Sequence, residues 1–276
     1  MSTKKDSALM SSRNFDMDMC SGPLFSKILI FALPIIAMNI LQLMFNAVDI
    51  ITVGRFASRE ALAAVGATGA LINLIVNTFM GLSVGTAVVV AQDYGAGNVS
   101  DLNASIHTSM AISIISGLTV MVAGLVFCRP LLILMGTPED ILDLSLLYMR
   151  IYFLGVPAAM LYNFGAAILR AIGDSRRPAY YLVISGLVNV VCNLFFVIVL
   201  HMSVDGVAWA TVISQYLSMA LIVICLSRSD IMGIRFILRQ MRISKDKLKK
   251  IVKIGLSAGL QSALFSISNV MIQTAV

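Results

Sequence analysis

One acid sits inside the first long apolar run of this chain. Asp49 shares a helical face with Gln42 and Asn46, at i, i+4 and i+7, while Leu41, Leu43, Met44, Val48 and Ile50 cover the other faces. A carboxylate at the centre of a membrane helix costs about 2.5–3.5 kcal/mol on insertion scales, so it faces protein or water rather than lipid. In that setting Asp49 binds or relays a cation. The plainer alternative is an acid near the outer helix end that snorkels or pairs with Arg55. Further polar side chains recur inside later apolar runs: Asn189 and Asn193 at i, i+4, Thr211 and Gln215 at i, i+4, and Asn163 beyond Pro157. Carboxylate, amide and hydroxyl oxygens are hard ligands that suit a small cation such as Na⁺. The same carboxylate could instead titrate and carry a proton. Each amide alone also reads as interhelical glue, worth about 0.6 kcal/mol in measured membrane cases.

The elements that must position these groups are long and apolar. The run over 24–54 is interrupted by Pro34 and exceeds the roughly 20 residues that cross a hydrocarbon core. Further spans are expected from about 61 into the 80s, then over 106–127, 144–169, 179–200 and 204–226. The segment 92–98 reads as a glycine-punctuated loop without the Lys-Ser/Thr ending of a phosphate-binding loop. Thr137 is placed to cap the fourth helix with Pro138 in its first turn, and Pro157 to kink it. Over 228–253, Arg235, Arg239 and Arg242 share one face of an amphipathic helix suited to an anionic membrane surface. A seventh apolar run begins near 251. A shift of 223 sets Leu33-Pro34-Ile35-Ile36 over Leu256-Ser257-Ala258-Gly259 and Asn46 over Asn269, as a duplicated transporter would show.

Composition excludes the soluble classes. Hydrophobic residues make up 59% of the chain and charged residues 12%, against about 25% in soluble domains. The net charge of +6 reflects connecting segments rather than a nucleic-acid surface, because all Lys and Arg except Arg55, Arg59, Arg129 and Arg150 fall on one side of the expected topology. By the positive-inside rule that side, with the amino terminus, is cytoplasmic. The 4 cysteines lack CxxC spacing and the 2 histidines offer little metal chemistry. No His-Glu-x-x-His and no second intramembrane acid is present, so no enzyme and no cofactor is expected. The expected architecture is an all-α polytopic membrane protein. A cytoplasmic tail (1–23) precedes a six-helix amino-terminal lobe (24–226) and a basic amphipathic cytoplasmic linker (227–249). The first helix of a second, repeated lobe (250–276) follows, so the partners are the lipid bilayer and a missing carboxyl-terminal lobe.

Several segments carry a family resemblance: Leu33-Pro34, Asn46-Ala47-Val48-Asp49-Ile50-Ile51, Gly95-Ala96-Gly97-Asn98, Leu169-Arg170-Ala171-Ile172-Gly173-Asp174-Ser175, Asn189-Val190-Val191-Cys192-Asn193 and Gly206-Val207-Ala208-Trp209-Ala210-Thr211. In order and spacing the chain resembles the multidrug and toxic compound extrusion (MATE) family of cation-coupled efflux transporters. The resemblance implies two six-helix lobes around a central cleft, alternating between inward- and outward-open forms. It implies exchange of Na⁺ or H⁺ for amphipathic, mostly cationic compounds. It also gives Asp49, fifteen residues after Pro34, the role of coupling acid, and makes Asn189 and Thr211 part of the cation site. Asn193 departs from the pattern, standing where the family often has a second acid. Gln42, Asn46, Asn163 and Gln215 are expected to line the substrate cavity, and Pro34 to serve as the flexible point of the first helix. The rival readings are a lipid-linked oligosaccharide flippase of the same superfamily, a seven-helix receptor and an intramembrane protease.

Overall fold

The computed structural model describes residues 24–228 and 241–275. Among the described residues seven α-helices follow one another: α1 (Leu24–Phe56), α2 (Arg59–Gly95), α3 (Val99–Leu134), α4 (Glu139–Ala171), α5 (Arg176–Leu194), α6 (Val204–Arg228) and α7 (Lys245–Ala275). Among the described residues six helices, α1 to α6, are long and apolar enough to cross a membrane. A π-helical turn, Phe195–Val199, extends α5. It is closed by the wide bond from Leu200 N to Phe195 O, at 3.2 Å.

Short polar signals set the boundaries. Ser58 Oγ accepts from Ala61 N at 3.1 Å and starts α2, and Asn98 Oδ1 accepts from Asp101 N at 3.2 Å and starts α3. Between α2 and α3 the chain reverses at Gly97, whose φ of 67° lies in the left-handed region that a side chain disfavours. The turn before α5 is held by Asp174. Its Oδ1 accepts from the backbone N of Arg176 and of Arg177, both at 3.1 Å, and its Oδ2 lies 3.0 Å from Arg177 Nε. Tyr162 Oη closes the same corner by donating to Pro178 O at 2.8 Å. The basic stretch around 170–178 is therefore a built corner. Replacing a buried ion-pair acid strands its partner, so Asp174→Ala is expected to destabilise the complete protein by about 3 kcal/mol. Thermal unfolding in detergent reads this, and a midpoint equal to wild type would contradict it.

Several boundary expectations are corrected. The loop expected over 92–98 is shorter: α2 continues to Gly95 and α3 starts at Val99, leaving three residues between them. Apolar patterning faded there because this end of the bundle is polar, while the caps still carry helix. Thr137 does not cap α4; Pro138 holds the N-cap position with no side-chain bond. Pro130 and Pro157 both lie inside continuous helices. Pro157 is packed, not exposed as a free kink. A Cβ built on Gly117 of α3 would fall 2.7 Å from the Pro157 Cα, so the two backbones meet there. Gly124 likewise lies under the Phe153 ring. The last helix begins at Lys245, ahead of the apolar run that starts near 251, and α6 ends at Arg228. Arg235 and Arg239 lie outside the described residues. Arg242 precedes α7 and lies outside any helix.

The core sits on α4, whose Phe153, Phe164, Met149 and Met160 are fully buried among α2, α3 and α6. A second cluster, with Leu102, Ile106, Met110, Ile168, Leu169 and Ile222, fills the end of the bundle where α4 finishes. Each helix here is apolar nearly all round, so small residues let backbones approach and side-chain volume fixes the spacing. In contrast, α1 is peripheral: it leans on α5 and leaves Leu33, Ile36, Leu43, Met44 and Ile51 exposed.

Candidate functional site

Asp49 meets the lobe where α1 crosses α5. The face of α1 turned inward carries Met38, Phe45, Asp49, Thr52 and Val53, with Met38 at 5%, Thr52 at 2% and Val53 at 0% exposure. Phe45, one turn before the acid, lies with its ring edge directly against the Gly186 backbone. On α5 the facing positions are Gly186, Asn189 and Asn193, at i, i+3 and i+7, all buried. Asn193 Nδ2 donates to Asp49 Oδ1 across the two helices, and it lies 3.5 Å from Asn189 Oδ1. Asn193 Oδ1 is buried without a hydrogen-bond partner. A carboxylate and two amide oxygens thus converge, one of them unsatisfied. A buried acceptor left open in this way is the feature a small cation or a proton-bearing water would complete.

The third wall comes from α4. Tyr148 and Tyr152 lie close enough to Asp49 to feel its charge, and their ring centroids are 6.2 Å apart. The Gln215 side-chain amide from α6 faces the Tyr152 hydroxyl, and its carbonyl oxygen presses on Gly155. Tyr148 and Tyr152 escaped the sequence reading, although their signal was there. Two tyrosines at i, i+4 on an apolar helix, followed by Gly155 at i+7, mark a face with room for a polar neighbour.

The expected site residues do not all gather. Asp49, Asn189 and Asn193 come together, and Gln215 reaches the tyrosines beside them. Thr211 is half-buried and its hydroxyl donates to Val207 O of its own helix at 3.0 Å. Asn163 Nδ2 similarly donates to Ala159 O at 2.7 Å. Gln42 and Asn46 are exposed on the flank of α1, not on the face that packs against α5. The stripe that carries Met38, Phe45, Asp49 and Thr52 takes that face, with Phe45 fitted against Gly186, because packing in lipid rewards shape over polarity. Arg55 is exposed, and Asp49 is held by Asn193 instead. Pro34 is half-buried inside an unbroken helix.

Residues 34–195 match the MatE family. The chain belongs to this family. Its relatives include a probable multidrug resistance protein, YoeA, of Bacillus subtilis, 30% identical over 251 residues that make up 88% of this chain and 54% of YoeA. Two solved structures of a multidrug resistance MATE family transporter of the MOP superfamily resemble the fold, both at 28% identity. The outward-facing one has a TM-score of 0.81, covering 87% of this chain and 53% of that one. The inward-facing one has a TM-score of 0.77, covering 84% and 53%. The MatE chain therefore spans about half the length of the relatives it matches, and its six-span bundle corresponds to the amino-terminal lobe of such transporters. It is a multi-pass membrane protein.

Proposed function

We propose that this chain forms the amino-terminal lobe of a cation-coupled antiporter, which exports amphipathic, mostly cationic compounds by alternating access. The observation that carries the reading is the Asp49 carboxylate, held by Asn193 between two membrane helices with a buried amide oxygen left open beside it. Such a group has two stable conditions, charged with a cation and neutralised by a proton, and each favours a different seating of α1. A ligand shifts that balance only by its differential affinity for the two seatings, so drug and coupling cation must prefer different ones. Pro34 supplies the flexible point in α1, where the helix lacks one backbone hydrogen bond. Asn189, Asn193 and Thr211 belong with Asp49 to the cation site, and Gln42, Asn46, Asn163 and Gln215 to the substrate cavity and its rim. The basic ends of α4, α5 and α7 face the cytoplasm, as does the amino terminus, and the membrane is the cell membrane. The flippase alternative calls for a more basic cavity, whereas no Lys or Arg lies beside Asp49 among the described hydrogen bonds and ion pairs.

The test is efflux by the complete protein in everted vesicles, with Na⁺ and H⁺ gradients imposed separately. Uptake of a cationic dye into the vesicle lumen, driven by one of the two gradients, is expected, and no uptake under either gradient would overturn the antiporter reading.

A further inference from the structure

Away from Asp49, at the end of the bundle where α7 begins, a lysine is buried across three helices. Lys247, 5% exposed, places Nζ 2.8 Å from both Oδ1 and Oδ2 of Asp93 near the end of α2, and 3.4 Å from Asp101 Oδ2 in the first turn of α3. Ser105 Oγ also donates to Asp93 Oδ2, so the acid is held from two sides. One turn of chain earlier, Ser244 N donates to Thr108 Oγ1 at 3.0 Å.

Beyond this polar joint the contact changes character. Gly81 and Gly85 of α2 meet Gly255 and Gly259 of α7, each pair spaced by four residues. Gly81 abuts the Gly259 backbone and Gly85 the Ile251 carbonyl, and a Cβ on Gly255 would fall 2.7 Å from the Leu82 Cα. Backbone therefore lies on backbone at these four glycines, while Ile251 is buried in the apolar core beside them and Leu248 and Ile254 pack against that core. The glycine contacts hold the helices by close approach and weak Cα–H···O contacts.

We infer that Lys247, Asp93 and Asp101 form a latch that closes this side of the transporter, and that α2 and α7 separate along the glycine seam when it opens. The inference rests on the proposed alternating access, with α7 opening the second lobe. Closed, the buried Lys247 is paired with the half-buried Asp93, with Asp101 at the exposed edge of the pair. Fully open, each returns to water. Only the half-open joint leaves a dehydrated charge without its partner, and that penalty makes the change all-or-none. The glycine seam supplies the contact surface, and the ion pair supplies the threshold.

The experiment uses the full-length protein in nanodiscs, with spin labels at the exposed positions Gln92 and Lys250. A short and a long separation are expected, with a ratio that changes when coupling ion or cationic drug is added. Lys247→Met and Asp93→Asn should each raise the long-to-short ratio by about tenfold or more. The double variant Lys247→Met/Asp93→Leu removes both charges of the pair and leaves only the exposed Asp101 without its partner. It should shift the ratio by less than the two single changes combined. One short separation under all conditions, unchanged by these variants, would make the contact a permanent staple and overturn the latch. Failure of the antiporter reading looks different: two separations that respond to Lys247→Met, in a protein that moves no dye under either gradient.

Discussion

Replacing Asp49 by Asn in the full-length protein is expected to reduce ion-driven efflux to background while leaving expression and membrane insertion intact. The amide keeps the size and still offers an oxygen to Asn193, so the α1–α5 contact keeps its shape. What disappears is the charge, and with it any preference of the site for a cation or a proton. Purified Asp49→Asn protein should therefore retain its unfolding midpoint yet show no gradient-driven dye transport. Normal efflux by this variant would remove Asp49 from the mechanism and leave its burial without a functional account.

Gly186→Leu should reach the same loss of transport by geometry, with the acid untouched. Phe45 lies against the Gly186 backbone, and any Cβ there would overlap the ring. Because α1 is peripheral and leans on α5, it has little else to hold it in register, so it should ride outward and carry Asp49 away from Asn193. Overpacking of this kind costs about 1–3 kcal/mol. The second change Phe45→Ala frees the space, and the pair Gly186→Leu/Phe45→Ala should recover part of the efflux. If Gly186→Leu transports like wild type, the α1–α5 contact does not set the position of the acid.

These two variants also mark what could be read from sequence. The six spans, the family resemblance and the trio Asp49, Asn189 and Asn193 were legible, because intramembrane polarity is rare enough to stand out at helical spacing. The face of α1 was not. Gln42 and Asn46 drew attention by being polar, whereas the helix turned Phe45 inward, and the reason lies on another element, in the missing side chain at Gly186. Tyr148 and Tyr152 were passed over for the opposite reason, since aromatic residues blend into an apolar helix until a neighbouring charge gives them meaning. The pairing of Lys247 with Asp93 joins residues 154 positions apart, and no local pattern announces it. The polar stretch at 92–98 misled because it was judged by hydropathy, while its helix ends are written in Asn98 and Gly97.

The π turn at Phe195–Val199 bears on how this chain tolerates length changes. Each residue of an α-helix turns its successors by about 100°, so deleting one position between Gly186 and Asn193 would swing the amide off the acid. Directly downstream the wide turn already holds one residue more than an α repeat needs, and removing it there would merely tighten the coil. Insertions and deletions should thus be survivable just past Leu194 and ruinous just before it, which makes the wide turn a register buffer between the buried amides of Asn189 and Asn193 and the crossing into α6.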